Sequence, residues 1–295
     1  VLKGLYFSII VPDFQLLIAS VIITNTYCNI SCKNYLLSQD KRGHMIELRN
    51  DPSVKYSYDE WLEFFRENDK HRLQIDFSNE TALSADIKAL ILPSISAFQI
   101  GEHSDGIHLL KAAEGFACKF DKPTYPEVMK LFIKEENFHS SYLGEFMRYH
   151  ELPLRKSNFL DRTFRSLRRR SDIRPEVVTL VTAEIIALSY YSALSDATDS
   201  PALKRICAQM LHDELPHVIF QSYTLGHFKQ GRWLKLQRRL LMRAATCAVW
   251  TAYGKVFRAA DWTYSKFKQE NLGYLKQSED IASNISAHLA SKIGQ

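Results

Sequence analysis

From about residue 84 onward, apolar positions recur every three or four residues over long stretches, the spacing that gathers them on one face of an α-helix. Four long helices follow, at roughly 84–118, 125–149, 175–197 and 201–225, after a shorter one near 57–67. They read as two helix hairpins. In the second, the turn is marked by Asp199-Ser200-Pro201, with Ser200 suited to cap a helix and Pro201 to its first position. In the first, Lys122-Pro123-Thr124-Tyr125-Pro126 gives similar punctuation, with Thr124 as the expected cap. The shorter helix opens on Ser57 with Glu60 three positions on, a capping-box pattern.

Beyond residue 231 the helical spacing continues, first with Lys235, Arg238, Arg239 and Arg243, then with Trp250, Tyr253, Phe257 and Trp262. This stretch is expected to cover the bundle or a substrate channel. The pattern predicts an all-α protein: an appendage over 1–44, a helical bundle over 45–230, and a C-terminal helical extension over 231–295 packed on it.

The first 44 residues hold two apolar runs, Leu5 to Val11 and Leu16 to Thr24, separated by Pro12, Asp13 and Gln15. Neither run reaches the ~20 residues that span a bilayer. Thr24 to Asn29 offers no clear small-residue cleavage site for a signal peptide. The character changes at Met45, which is the expected natural start.

Composition narrows the class. With 46% hydrophobic and 24% charged residues, the chain has the balance of a water-soluble globular protein, and its few glycines and prolines argue against an all-β fold. The net charge of +5 is unevenly placed, with Arg162, Arg165, Arg168, Arg169, Arg170 and Arg174 crowding one connection. That cluster reads first as a solvated loop and second as a place for an acidic partner. Five scattered cysteines do not form the framework of a secreted domain, so a reducing, cytoplasmic setting is expected.

The candidate chemistry lies where acids interrupt the apolar stripes. On the third long helix the face runs Val177, Leu180, Val181, Glu184, Ala187, Leu188, Tyr191, and Ile185 and Ile186 make the helix apolar almost all round. Glu184 is therefore expected to be buried, where a carboxylate is costly unless neutralised, paired or bound to metal. The second helix carries Glu136 and His139 on its stripe, and the fourth Glu214 and His217. Residues three apart share a helix face, so each Glu-x-x-His presents an oxygen and a nitrogen to one point. Glu102 precedes Glu136 by 34 positions and Glu184 precedes Glu214 by 30, similar intervals that would bring the acids to one level in two folded-back pairs.

One Glu, then Glu-x-x-His, then one Glu, then Glu-x-x-His, resembles the ferritin-like di-iron carboxylate proteins over residues 84–225. Glu135-Glu136-Asn137-Phe138-His139 and Asp213-Glu214-Leu215-Pro216-His217 resemble the motifs of soluble acyl-carrier-protein desaturases and, more distantly, of arylamine N-oxygenases. The resemblance implies a ferritin-like four-helix bundle with extra N- and C-terminal helices. It also implies that Glu102 and Glu184 each bind one metal, that Glu136 and Glu214 bridge two, and that His139 and His217 each bind one. Glu135 and Asp213 would accept hydrogen bonds from the histidines of the opposite pair. Two departures stand out: Pro216 should kink the helix or force a bulge, and Met210 stands where the arylamine enzymes carry a further histidine. Gly106 and Ala187, one turn beyond Glu102 and Glu184, are expected to leave room for oxygen or substrate. Tyr142, Tyr190 and Tyr191 are read as packing.

Such a ligand set suits two iron ions, or manganese, with dioxygen as co-substrate. The expected function is an oxidoreductase that hydroxylates, desaturates or N-oxygenates a small-molecule or carrier-bound substrate, served by an electron-donor protein and compatible with a homodimer. Nucleic acid is not expected as a partner, nor is a membrane beyond the N-terminal segment. Alternatives are a ferroxidase or iron-storage protein, and a non-catalytic, metal-stabilised binding protein.

Overall fold

The computed structural model describes residues 45–104, 106–154 and 173–293. The N-terminal 44 residues, including Cys28 and Cys32, and the arginines from 162 to 170 lie outside the described residues. The described residues form eight α-helices and no strand: α1 (Tyr58–Lys70), α2 (Ala85–Glu102), α3 (Ile107–Phe120), α4 (Tyr125–Tyr149), α5 (Ile173–Asp196), α6 (Pro201–Leu225), α7 (Arg232–Ala259) and α8 (Tyr264–Ile293).

The local signals act largely as their chemistry suggests. Ser57 accepts from the Glu60 backbone N–H while Glu60 accepts from that of Ser57, a complete capping box, and Ser200 caps α6 with Pro201 at its first position. Thr124 occupies the cap position of α4 without capping it, because its hydroxyl donates instead to Asp59 at 2.5 Å.

The helix expected over 84–118 is two helices. The chain leaves α2 after Glu102 and starts α3 at Gly106, whose φ of +72° lies in the left-handed region that glycine tolerates best. Asn137 of α4 fixes the break by accepting from the Ser104 N–H at 3.1 Å and donating to the Ser104 carbonyl at 2.9 Å. The first pair is consequently not a simple hairpin, since α3 lies between α2 and α4 and packs on α4 and α5. At Pro216, where a kink or a bulge is expected, the α-helical assignment of α6 runs through unbroken, without a bulge.

Helix α5 is at the centre. By length and composition it could cross a bilayer, yet 89% of its most apolar window is buried inside the fold, which marks it as a core helix. It forms an extensive contact with α6 across their short turn. Helix α7 packs on α5 and α2, and α8 packs on α5, α6 and α7. Asn271 of α8 ties that layer together, accepting from Ser189 of α5 at 2.9 Å and donating to Thr246 of α7 at 3.1 Å. The segment before α1 is stitched to α8 by Gln277, which accepts from Leu48 N–H at 2.6 Å and donates to the Ile46 carbonyl at 2.9 Å.

Candidate metal centre

Four helices carry the six candidate ligands inward. Glu102 is the last residue of α2; Glu136 and His139 lie along α4, Glu184 along α5, and Glu214 and His217 along α6. All are buried except Glu136, whose side chain is 14% exposed. One ligand atom from each of Glu102, Glu136, His139 and Glu214 lies within 4.8 Å of the others, a group that could hold a metal ion. His217 Nδ1 is 3.0 Å from Glu136 Oε1 and 3.4 Å from Glu214 Oε2. His139 Nδ1 is 3.5 Å from Glu214 Oε1 and 3.8 Å from Glu136 Oε1. Glu136 and Glu214 thus each stand between the two imidazoles.

The far side of each ring is tied down across the pairs. His139 Nε2 lies 3.1 Å from Asp213 Oδ2, and His217 Nε2 lies 2.7 Å from Glu135 Oε2. An ionised carboxylate only accepts, so Nε2 carries a proton toward Asp213 or Glu135, while Nδ1 faces the acids of the cluster and could serve a metal once its own proton is displaced. Asp213 is itself gripped: Gln209 donates to both its oxygens at 2.9 Å, and His212 Nδ1 is 2.9 Å from Oδ1. Phe65 stacks on His217 with centroids 5.8 Å apart, and Phe132 meets the same ring edge-on at 4.8 Å.

Six buried ligand atoms are left without a hydrogen-bond partner: Glu136 Oε1, His139 Nδ1, both oxygens of Glu184, Glu214 Oε2 and His217 Nδ1. Unsatisfied buried polar atoms are rare and costly, and here they belong to five of the six candidate residues. The sixth, Glu102, accepts a hydrogen bond from the Tyr191 hydroxyl. Its carboxylate sits at the C-terminal end of α2, where the helix dipole is negative, so backbone and side chain both favour a cation there.

The titration of the groups reflects this crowding. Burial pushes the Glu102 carboxyl well above its usual range, and the nearby Glu136 and Glu214 push it further. Burial does the same to Glu184, with His217 opposing and the other three acids adding. Glu214 is also pulled upward by burial, but His139 and His217 reverse this and hold it below the ordinary value. For both histidines burial opposes charging, and the surrounding carboxylates outweigh it, raising them well above the usual imidazole range. Glu102, Glu184 and Glu214 thus share protons with two imidazoles away from solvent, a conflict that a divalent cation would relieve.

No protein-family model, curated protein or solved structure matches the chain. Its chemistry must be read from the arrangement itself.

A cavity of about 120 Å³ opens beside the cluster, with Glu102, Glu136, Glu184 and Glu214 at its floor. Helices α2, α5 and α7 form its walls, and Ala187 is among the lining residues. Gly106 is not. An added Cβ there would lie 2.8 Å from Ile133, so its small size serves the chain break and close packing on α4. The room beside Glu102 comes from Ala97 and Gly101 on α2, opposite Ala183 and Ala187 on α5. These are small residues four apart on each helix, a signal present in the sequence that periodicity alone did not single out.

His103 and His108, which flank the break between α2 and α3, are exposed, and Met210 is fully buried in α6. Tyr190 stacks on Phe98 at 3.6 Å between centroids, and Tyr142 accepts from the Leu73 N–H at 3.2 Å. Tyr191 is the tyrosine that touches the cluster; it follows Glu184 by two helical turns on the same stripe.

Proposed function

We propose that the chain is a ferritin-like di-metal oxidoreductase that uses dioxygen to oxidise an organic substrate. The observation that supports this reading is the buried group of Glu102, Glu136, His139 and Glu214, joined by His217, with both histidines tied to carboxylates on their other nitrogens. Their inward-facing atoms lie 3.0–3.8 Å apart without forming hydrogen bonds, and both oxygens of the buried Glu184 also lack one, a shortfall that metal ligation would make good.

In this reading Glu136 and Glu214 bridge two ions, Glu102 and Glu184 each complete one, and His139 and His217 each supply a nitrogen. Hard oxygens with two imidazoles suit iron(II) or manganese(II). When bound, the pair supplies redox equivalents and open coordination positions for dioxygen. The protein's own part is positional. Asp213 and Glu135 hold the rings with Nδ1 facing the acids of the cluster, and Tyr191 fixes the orientation of Glu102. Phe65 and Phe132 pack against His217 and keep water from that flank. The cavity beside the acids favours an organic substrate over a storage role, in which iron itself would be oxidised.

The test is to load the protein anaerobically with ferrous iron, admit oxygen, and follow oxygen uptake and absorbance. The proposal expects rapid uptake with a new absorption band, both absent in Glu136→Ala. A metal-loaded wild type that consumes no oxygen above the buffer rate would contradict it, and uptake accompanied only by growth of a ferric mineral would favour storage.

A further inference from the structure

The walls of the cavity differ sharply from its floor. Besides the four carboxylates the lining includes Ala97, Phe98, Leu180, Ile186, Ala187, Val249 and Tyr253, and no Lys, Arg or His is among the lining residues. The hydroxyl of Thr179, also in the wall, donates to the Pro175 carbonyl at 2.9 Å and so is already engaged. A charged group entering here would lose its hydration without gaining an opposite charge from the wall, a loss that costs several kcal/mol. Apolar groups gain by the same transfer.

Size and entrance follow from the same residues. An apolar cavity of about 150 Å³ accepts a benzene molecule, and this one is about 120 Å³. Gly101 and Ala183 line it and are exposed, so the opening lies between α2 and α5 at these two positions. A Cβ added to Gly101 would meet no atom within 4 Å, which shows that the glycine borders open space. Helix α7 closes the opposite side through Val249 and Tyr253, which gives the C-terminal extension a share in substrate choice.

We infer that this cavity is the substrate site, that it takes an uncharged apolar group of about one six-membered ring, and that the group enters between Gly101 and Ala183. This rests on the di-metal reading, because the acids at the floor are then neutralised by the ions and the reacting group is brought beside them. Any larger or polar part of the substrate would remain outside the mouth.

Toluene and N-methylpyridinium, rings of similar size that differ in charge, serve as probes. Their binding to full-length ferrous protein is measured anaerobically by calorimetry, with iron content determined on the same samples. The inference expects toluene to saturate a single site and N-methylpyridinium to bind at least about tenfold more weakly. Gly101→Phe and Ala183→Phe, both at exposed lining positions, should weaken toluene by about tenfold or more while retaining wild-type iron. Wild-type protein that holds two ions but ignores toluene overturns the inference and leaves the metal reading intact. So does undiminished toluene binding in both variants, or equal binding of the cation. Wild-type protein that holds no iron overturns both.

Discussion

Glu184 brings two carboxylate oxygens into a core helix of the fold, and neither finds a hydrogen-bond partner. An uncompensated buried carboxylate destabilises a metal-free protein, so removing its charge should help the fold and harm the site. Glu184→Gln is expected to lower metal content clearly, while the metal-free variant unfolds in denaturant at a concentration equal to or above that of metal-free wild type. Unchanged metal content, or a metal-free variant about 2 kcal/mol less stable, would show that Glu184 serves the fold. The burial of Glu184 was legible in the sequence because apolar residues surround it on every face of its helix. The hydrogen bond from Tyr191 to Glu102 was not, because it joins α5 to α2 and depends on how those helices face each other.

At the scale of elements, the departure from expectation lies between Glu102 and Glu136. Apolar spacing continues across Gly106, and nothing in periodicity distinguishes a glycine inside a helix from one that ends it. What decides is the side chain of Asn137, remote in sequence, which binds the backbone of Ser104 and rewards the break. Gly106→Ala should therefore cost about 1–3 kcal/mol, because alanine resists a φ of +72° and its Cβ would crowd Ile133. Denaturant unfolding checks this, and a neutral substitution would mean that the break relaxes freely. The hairpin of α5 and α6 was readable because Ser200 and Pro201 act locally, whereas Thr124 was misjudged as a cap because Asp59 of α1 competes for its hydroxyl.

Helix α8 carries a partly buried acid, Glu270, which burial pushes up to about 7, with Lys266 3.8 Å away working against the shift. A carboxyl whose folded pKa is raised binds its proton more tightly when folded. It therefore has no effect on stability below the unfolded value near 4.5 and lowers stability as pH rises from there through about 7. Glu270→Gln should raise the unfolding free energy at pH 8 by up to about 3 kcal/mol and leave it nearly unchanged at pH 4. The opposite trend, with the variant weaker at pH 8, would show that the Lys266 ion pair outweighs burial.

Across the whole molecule, α7 and α8 are packed against the helices that supply the ligands, and the cavity is closed by α7. All-helical architecture followed from hydrophobic spacing, and the candidate ligands from acids set where solvent should not reach. Of the cavity, the room at Ala187 and the cover from the C-terminal stretch were legible, but Ala97, Gly101 and Ala183 were not, since the walls come from three helices far apart in sequence. A metal bound by the buried Glu/His group would couple folding to binding, because an ion shared by those ligands would hold α2, α4 and α6 together.

The most direct measurement is the number of ferrous ions bound per folded chain, obtained by anaerobic equilibrium titration. Wild type should bind two, and the double variant Glu136→Ala, Glu214→Ala should bind neither while keeping its helical circular dichroism. Fewer than one ion per wild-type chain, or two ions retained after both bridging acids are removed, would contradict the account.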